Sequence, residues 1–157
     1  MTQLCLMLAC SSARFLQGDP RHMEARPLVE AARRGELSAC TTTGILSEVY
    51  AALTWHQAQP PHSPEEAAQA VRLLVEAPSM IRVLPDGAVE ALQMLELAES
   101  HQLRARRVHD ARHAAAALVA GITSVFTYDA GDWAAFEGDG LNIAGPASVL
   151  VSLGRQS

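Results

Sequence analysis

Leu4–Ala9 is six apolar residues in a row, with no polar residue alternating among them. A strand with one wet face alternates apolar and polar side chains. An unbroken short run fits a strand covered on both faces, as in a parallel sheet flanked by helices. Parallel strands need helical crossovers, and the chain supplies them. Asp19-Pro20 is a cap and first-turn pair opening a helix Pro20–Arg34, closed by Gly35. Pro27 inside it requires a kink or a start delayed to that point. Ser38–Thr41 reads as a strand and Thr43–Trp55 as a helix. Ser63-Pro64-Glu65-Glu66 has the form of a capping box and opens a helix Pro64–Glu76. Met80–Leu84 reads as a strand, Pro85–Gln102 and Val108–Ala120 as helices, and Ile122–Thr127 as a strand. Tyr128–Gly140, with three glycines, reads as a loop, Leu141–Ile143 as a last strand, and Pro146–Ser157 as a tail. Strands alternating with helices imply right-handed crossovers, a parallel sheet, and a site at the C-terminal strand ends.

Composition narrows the function classes. Aromatic residues make up 4% of the chain, so the core must be aliphatic. All 12 basic residues are arginine, against 17 acids, for a net charge of −5. That balance argues against sequence-blind coating of nucleic acid, but four of the arginines cluster in His101–His113: Arg104, Arg106, Arg107 and Arg112. Three cysteines without a C-x-x-C pair suggest neither a disulfide framework nor a thiolate zinc site, and fit a reducing cytoplasm. Met7-Leu8-Ala9-Cys10 has the form of a lipoprotein cleavage box. The uncharged Met1-Thr2-Gln3 and the short apolar run favour a buried strand instead. No run is long enough for a membrane span.

Four carboxylates stand at strand ends or in the turns after them. Glu48 follows the second strand, Asp110 opens the helix Val108–Ala120, and Asp129 and Asp132 follow the strand Ile122–Thr127. Carboxylates that converge repel one another unless a cation joins them, and hard oxygen donors select Mg²⁺ or Mn²⁺. Taken singly, Asp110 is an acid at a helix N-terminus and Asp129 a turn residue. Their common placement favours a site.

Val108-His109-Asp110-Ala111-Arg112 with Ala114–Leu118 and Gly121, then Phe126-Thr127-Tyr128-Asp129 with Asp132-Trp133-Ala134-Ala135-Phe136, resembles the C-terminal half of a PIN domain, closest to the VapC toxin ribonucleases of bacterial toxin–antitoxin pairs. Gly18-Asp19-Pro20-Arg21-His22 and Ser47-Glu48-Val49-Tyr50 are similar to upstream stretches of that family, and Gly140-Leu141 with Pro146 to its closing strand. The resemblance implies a three-layer α/β/α sandwich with a central, mostly parallel sheet of four to five strands, spanning residues 1–146 with a tail at 147–157. It implies a divalent-metal endoribonuclease with Mg²⁺ or Mn²⁺ held by Glu48, Asp110, Asp129 and Asp132, the first three being catalytic. An RNA substrate and an antitoxin partner follow from the same resemblance, and apolar residues on the two early helices either form a homodimer or antitoxin groove or belong to the core. The family's first-strand Asp falls at Leu8, and residues 1–18 contain no acid, which implies a degenerate site. A non-catalytic RNA- or protein-binding module is the alternative.

Two further readings stay open. His109 and His113 stand four apart on one helix, as in zinc hydrolases, with His101 the nearest third ligand. Arg104, Arg106, Arg107 and Arg112 either form a solvated turn or meet RNA phosphates, which suit the guanidinium fork.

Overall fold

The computed structural model describes residues 6–9, 20–58 and 60–145. Five parallel strands form one sheet in the order β3-β2-β1-β4-β5, with β1 Leu6–Leu8, β2 Ala39–Thr42, β3 Arg82–Leu84, β4 Ser124–Phe126 and β5 Asn142–Ala144. β1 lies at the centre: Met7 is level with Cys40 on one side and with Val125 on the other. Among the described residues, six helices connect the strands: α1 Pro20–Arg33, α2 Thr43–Thr54, α3 Pro64–Val75, α4 Ala88–Ser100, α5 Val108–Val119 and α6 Ala130–Trp133. The expected α/β sandwich on a parallel sheet is therefore observed.

Side chains alternate along each strand and so divide the core in two. Met7, Ala9, Cys40 and Val125 pack with Ala111 and Ala114–Ala117 of α5, Leu97 of α4 and Val49 and Leu53 of α2. Leu8, Ala39 and Phe126 pack with Leu28, Val29 and Ala32 of α1 and with Ile81. The alanine run of α5 leaves little bulk on that helix, which packs most closely against α4.

Local chemistry explains most of the boundaries. At α3, Ser63 Oγ accepts the Glu66 N–H at 3.2 Å and Glu66 Oε2 accepts the Ser63 N–H at 2.8 Å, so the capping box is formed in both directions. α4 begins at Ala88 rather than Pro85, with Gly87 as its cap residue; the Gly87 N–H donates to Glu90 Oε2 at 2.8 Å. α1 runs through Pro27 without a delayed start; that residue lies on the exposed side. Tyr128–Gly140 is not a loop. It folds as α6 followed by a 3₁₀ segment, Ala134–Asp139, because Trp133 and Phe136, three apart, are both buried and meet edge to face at 5.7 Å. The glycines mask this anchoring pair in the sequence. Gly140, at φ 104°, closes the segment in the left-handed region that glycine tolerates. The Asp19 cap, Cys5, Cys10, Ser11, Ser12 and the tail from Pro146 lie outside the described residues. No helix among the described residues is long and apolar enough to cross a membrane.

Candidate functional site

The C-terminal ends of β1, β2 and β4 meet the first turns of α2, α5 and α6. Thr42 ends β2 and caps α2, its Oγ1 accepting the Ile45 N–H at 3.1 Å. That cap fixes the start of the helix, and Glu48 lies one and a half turns further on, half-buried. From α5, Asp110 projects from the first turn and His113 from the next; the ring of His113 is buried, 2% exposed. His113 Nδ1 lies 3.1 Å from Thr42 Oγ1, and Nε2 lies 3.1 Å from Glu48 Oε1. After β4, buried Thr127 accepts the Asp129 N–H on Oγ1 at 3.1 Å, which sets Asp129 at the start of α6, with Asp132 one turn on.

Three of these acids act on the fourth. Burial pushes the Asp110 carboxyl above the usual carboxylate range. The charges of Asp132, Asp129 and Glu48 push it further up, against an opposing pull from His113. Glu48, Asp110, Asp129 and Asp132 thus share one electrostatic field. They do not share one coordination sphere: among the described residues, no three His, Cys, Asp or Glu side chains are placed to hold a metal ion. The donor chemistry suits a hard divalent cation, whose charge would relieve the repulsion at Asp110.

The first-strand position expected at Leu8 is turned away from these acids. Leu8 packs with Leu28, Val29 and Ala32 of α1 and borders a small apolar void shared with Val29 and Ile81. Ala9 faces the other way. It is 2% exposed, its N–H donates to the Phe126 carbonyl at 2.9 Å, and it shares the core with Ala111 and Ala114. The strand pairing runs to Met7 beside Cys40 and Leu8 beside Phe126, and the same register carried one residue on would bring Ala9 level with Thr42 and Thr127. Residues 6–9, Leu-Met-Leu-Ala, bring no side-chain oxygen there.

The arginines divide. Arg112 bends back onto Asp86, its Nε 3.1 Å from Oδ2 and its Nη2 donating to the same oxygen. Arg107 reaches the acid loop, its Nη2 donating to the Asp132 carbonyl at 3.3 Å. Arg104 and Arg106 are exposed beside it on the turn Ala105–Arg107, where Ala105 sits at φ 50°. The histidines divide as well. His109 is exposed, His101 Nε2 lies 2.6 Å from Asp139 Oδ2, and both ring nitrogens of His113 are engaged. The contacts of His113 were not legible in the sequence. Only its position three residues after Asp110, on the same helix face, hinted at a shared site.

The family model described as PIN domain matches residues 12–137. No curated protein matches the chain. Among solved structures, the fold is similar to Mycobacterium tuberculosis VapC20, a sarcin-ricin loop cleaving toxin, at TM-score 0.63 and 23% identity over 83% of this chain and 94% of that one. It is similar to VapBC-1 from nontypeable Haemophilus influenzae at TM-score 0.62 and 16% identity, covering 92% of this chain and 99% of that one. It is also similar to VapBC2 from Rickettsia felis, bound to a DNA fragment from their promoter, at TM-score 0.57 and 12% identity, covering 90% and 98%.

Proposed function

The chain belongs to the PIN-domain family, and from that premise we propose that it is a VapC-like protein whose ribonuclease site is degenerate. The observation that carries the reading is the end of β1. Ala9 is buried on the α5 side of the sheet, in one cluster with Ala111 and Ala114, and the described residues 6–9 carry no side-chain oxygen. Glu48, Asp110, Asp129 and Asp132 are the residues that would hold Mg²⁺ or Mn²⁺. When bound, the cation would activate water and offset charge on a phosphodiester. The chain's own residues then have separable duties. Half-buried Glu48, Asp110 and Asp129 hold the inner side of the cluster, exposed Asp132 its outer side, and Arg104, Arg106 and Arg107 draw an RNA backbone to the rim. In-line attack depends on placement to fractions of an ångström, which an open ligand set does not give.

A cytoplasmic protein that binds RNA and a protein partner, and cleaves slowly, fits these features. Val89, Leu92 and Leu95 form an exposed apolar stripe on α4, each more than half exposed. We assign that stripe to a protein partner, an antitoxin-like chain or a second copy. The test is a fluorogenic RNA assay in Mn²⁺ with wild type and Asp110→Asn. Slow cleavage, scarcely changed by the substitution, is expected. Robust Mn²⁺-dependent cleavage that Asp110→Asn abolishes would overturn the degenerate reading.

A further inference from the structure

We propose that His113 is a positioning residue, locked in one tautomer by Thr42, that holds Glu48 within the acid cluster. The inference deepens the cation-site reading above and rests on it for its role. An ionised carboxylate only accepts hydrogen bonds, so at 3.1 Å from Glu48 Oε1 the proton must sit on His113 Nε2. In the singly protonated ring that N–H leaves Nδ1 as an acceptor; a doubly protonated ring, donating from both nitrogens, would overturn the lock by Thr42. Thr42 Oγ1 already accepts the Ile45 N–H, so its own hydroxyl proton is free to go to Nδ1 at 3.1 Å. One threonine therefore caps α2 and orients the ring on α5 that grips a carboxylate of α2. The contact joins two helices across 65 residues of sequence.

Gly44 supports this independently. Glycine is a weaker helix former than alanine. Here no positive φ calls for it, but a Cβ at Gly44 would stand 2.8 Å from His113 Cε1. The chain accepts a weaker helix start where the imidazole needs the room. Glu48 is half-buried on a long flexible side chain, and the bond from the ring fixes the direction of its Oε1.

Two measurements test the proposal. A long-range ¹H–¹⁵N spectrum reads the His113 tautomer, and electron paramagnetic resonance of free Mn²⁺ reads cation binding. The Nε2–H form is expected in wild type and lost in Glu48→Ala. Outer partners of metal ligands are typically worth 10–100-fold in affinity, so His113→Leu should weaken Mn²⁺ binding by about 10-fold or more. His113→Gln, whose amide can donate from nearly the Nε2 position, should stay close to wild type. Gly44→Ala keeps the histidine but crowds it, and should weaken binding too; it decides the matter if His113→Leu fails to fold. An Nδ1–H tautomer, or a folded His113→Leu that binds Mn²⁺ like wild type, would overturn the proposal. If wild type binds no Mn²⁺ while the Nε2–H form is present and lost in Glu48→Ala, the cation reading falls and the grip on Glu48 stands.

Discussion

The two faces of the sheet are built by opposite rules. Towards α1 the buried contacts are mainly hydrocarbon, from Leu8, Leu28, Val29, Ala32, Ala39, Ile81 and Phe126; the buried polar residues on that side are Thr41, whose Oγ1 donates to the Leu8 carbonyl at 3.4 Å, and Ser124. Towards α5 the core begins the same way, with Met7, Cys40 and Val125 against alanines. At the strand ends that face turns polar. Thr42, Thr127 and His113 are each at most 2% exposed, and each has a hydrogen-bond partner. Burying a polar group is unfavourable unless it is paired, so a face that accepts several of them is organised for something other than stability. The first face holds the fold; the second holds the chemistry.

A charge placed on each face separates them most sharply. Leu8→Asp would set a carboxylate among Leu28, Val29 and Ala32 with no partner. The expected loss is about 4 kcal/mol or more, in the range that marks a buried unpaired charge, and Mn²⁺ should not restore it. Ala9→Asp places the same group beside Thr42 and Thr127, facing Asp110. It should cost less without metal and regain melting temperature when Mn²⁺ is added, by more than wild type gains. Thermal melts of the three proteins with and without Mn²⁺ make the measurement. A Leu8→Asp protein that gains more from Mn²⁺ than Ala9→Asp would erase the distinction between the faces.

How far the sequence carried depended on whether the signal was local. The Ser63–Glu66 box was fully written in four residues, and its two hydrogen bonds are present. The central strand was legible in an apolar run, and the clustering of acids in their common position after strands. Which of Leu8 and Ala9 faces the acids was not legible, because a one-residue shift along a strand reverses the side on which the chain points. The α6–3₁₀ segment was hidden because its glycines are local while the burial of Trp133 and Phe136 is tertiary. The pairing of Arg112 with Asp86 was hidden for the same reason, since 26 residues separate them.

The next effect is in pH. Asp110 has its folded carboxyl raised above the unfolded range, first by burial and then by its acidic neighbours. Between the two values the folded state binds more protons than the unfolded one, so stability falls as pH rises through that window. Its contribution is complete below the ordinary carboxylate range and gone above the raised value. Asp110→Asn cannot ionise. In metal-free buffer it should melt higher than wild type near neutral pH, with the gap closing as the pH is lowered through the carboxylate range. A gap that widens at low pH would show that Asp110 is stabilised as an anion, and that the polar face carries no repulsion for a cation to relieve.

A smaller effect separates the arginines. Arg104 and Arg106 are exposed, whereas Arg112 is already committed to Asp86. If the rim meets RNA phosphates, Arg104→Ala should lower the slope of log affinity against log salt by about one, and Arg112→Ala should leave the slope nearly unchanged. Filter binding of a short single-stranded RNA at several salt concentrations reads both. Equal slopes for all three proteins would leave the turn as a solvated connection between α4 and α5.

The smallest expected effect concerns the backbone of that same turn. Ala105 sits at φ 50°, a left-handed conformation that costs a residue with a Cβ roughly 1–2 kcal/mol. Glycine adopts it freely but loses roughly 0.5–1 kcal/mol of chain entropy on folding. The net expectation for Ala105→Gly is a gain of no more than about 1 kcal/mol, read as a small rise in melting temperature. The strain is held by what the turn delivers. Arg107, two residues on, reaches the Asp132 carbonyl, and α5 starts at Val108 with Asp110 in its first turn. Relaxing the turn should therefore stabilise the fold while leaving Arg104 and Arg106 less fixed at the rim, so RNA affinity should fall slightly as the melting temperature rises. Opposite signs in those two readouts would mark strain kept for the polar face. A rise in both would show that Ala105 is only a poor local fit, no different in kind from a defect on the α1 side.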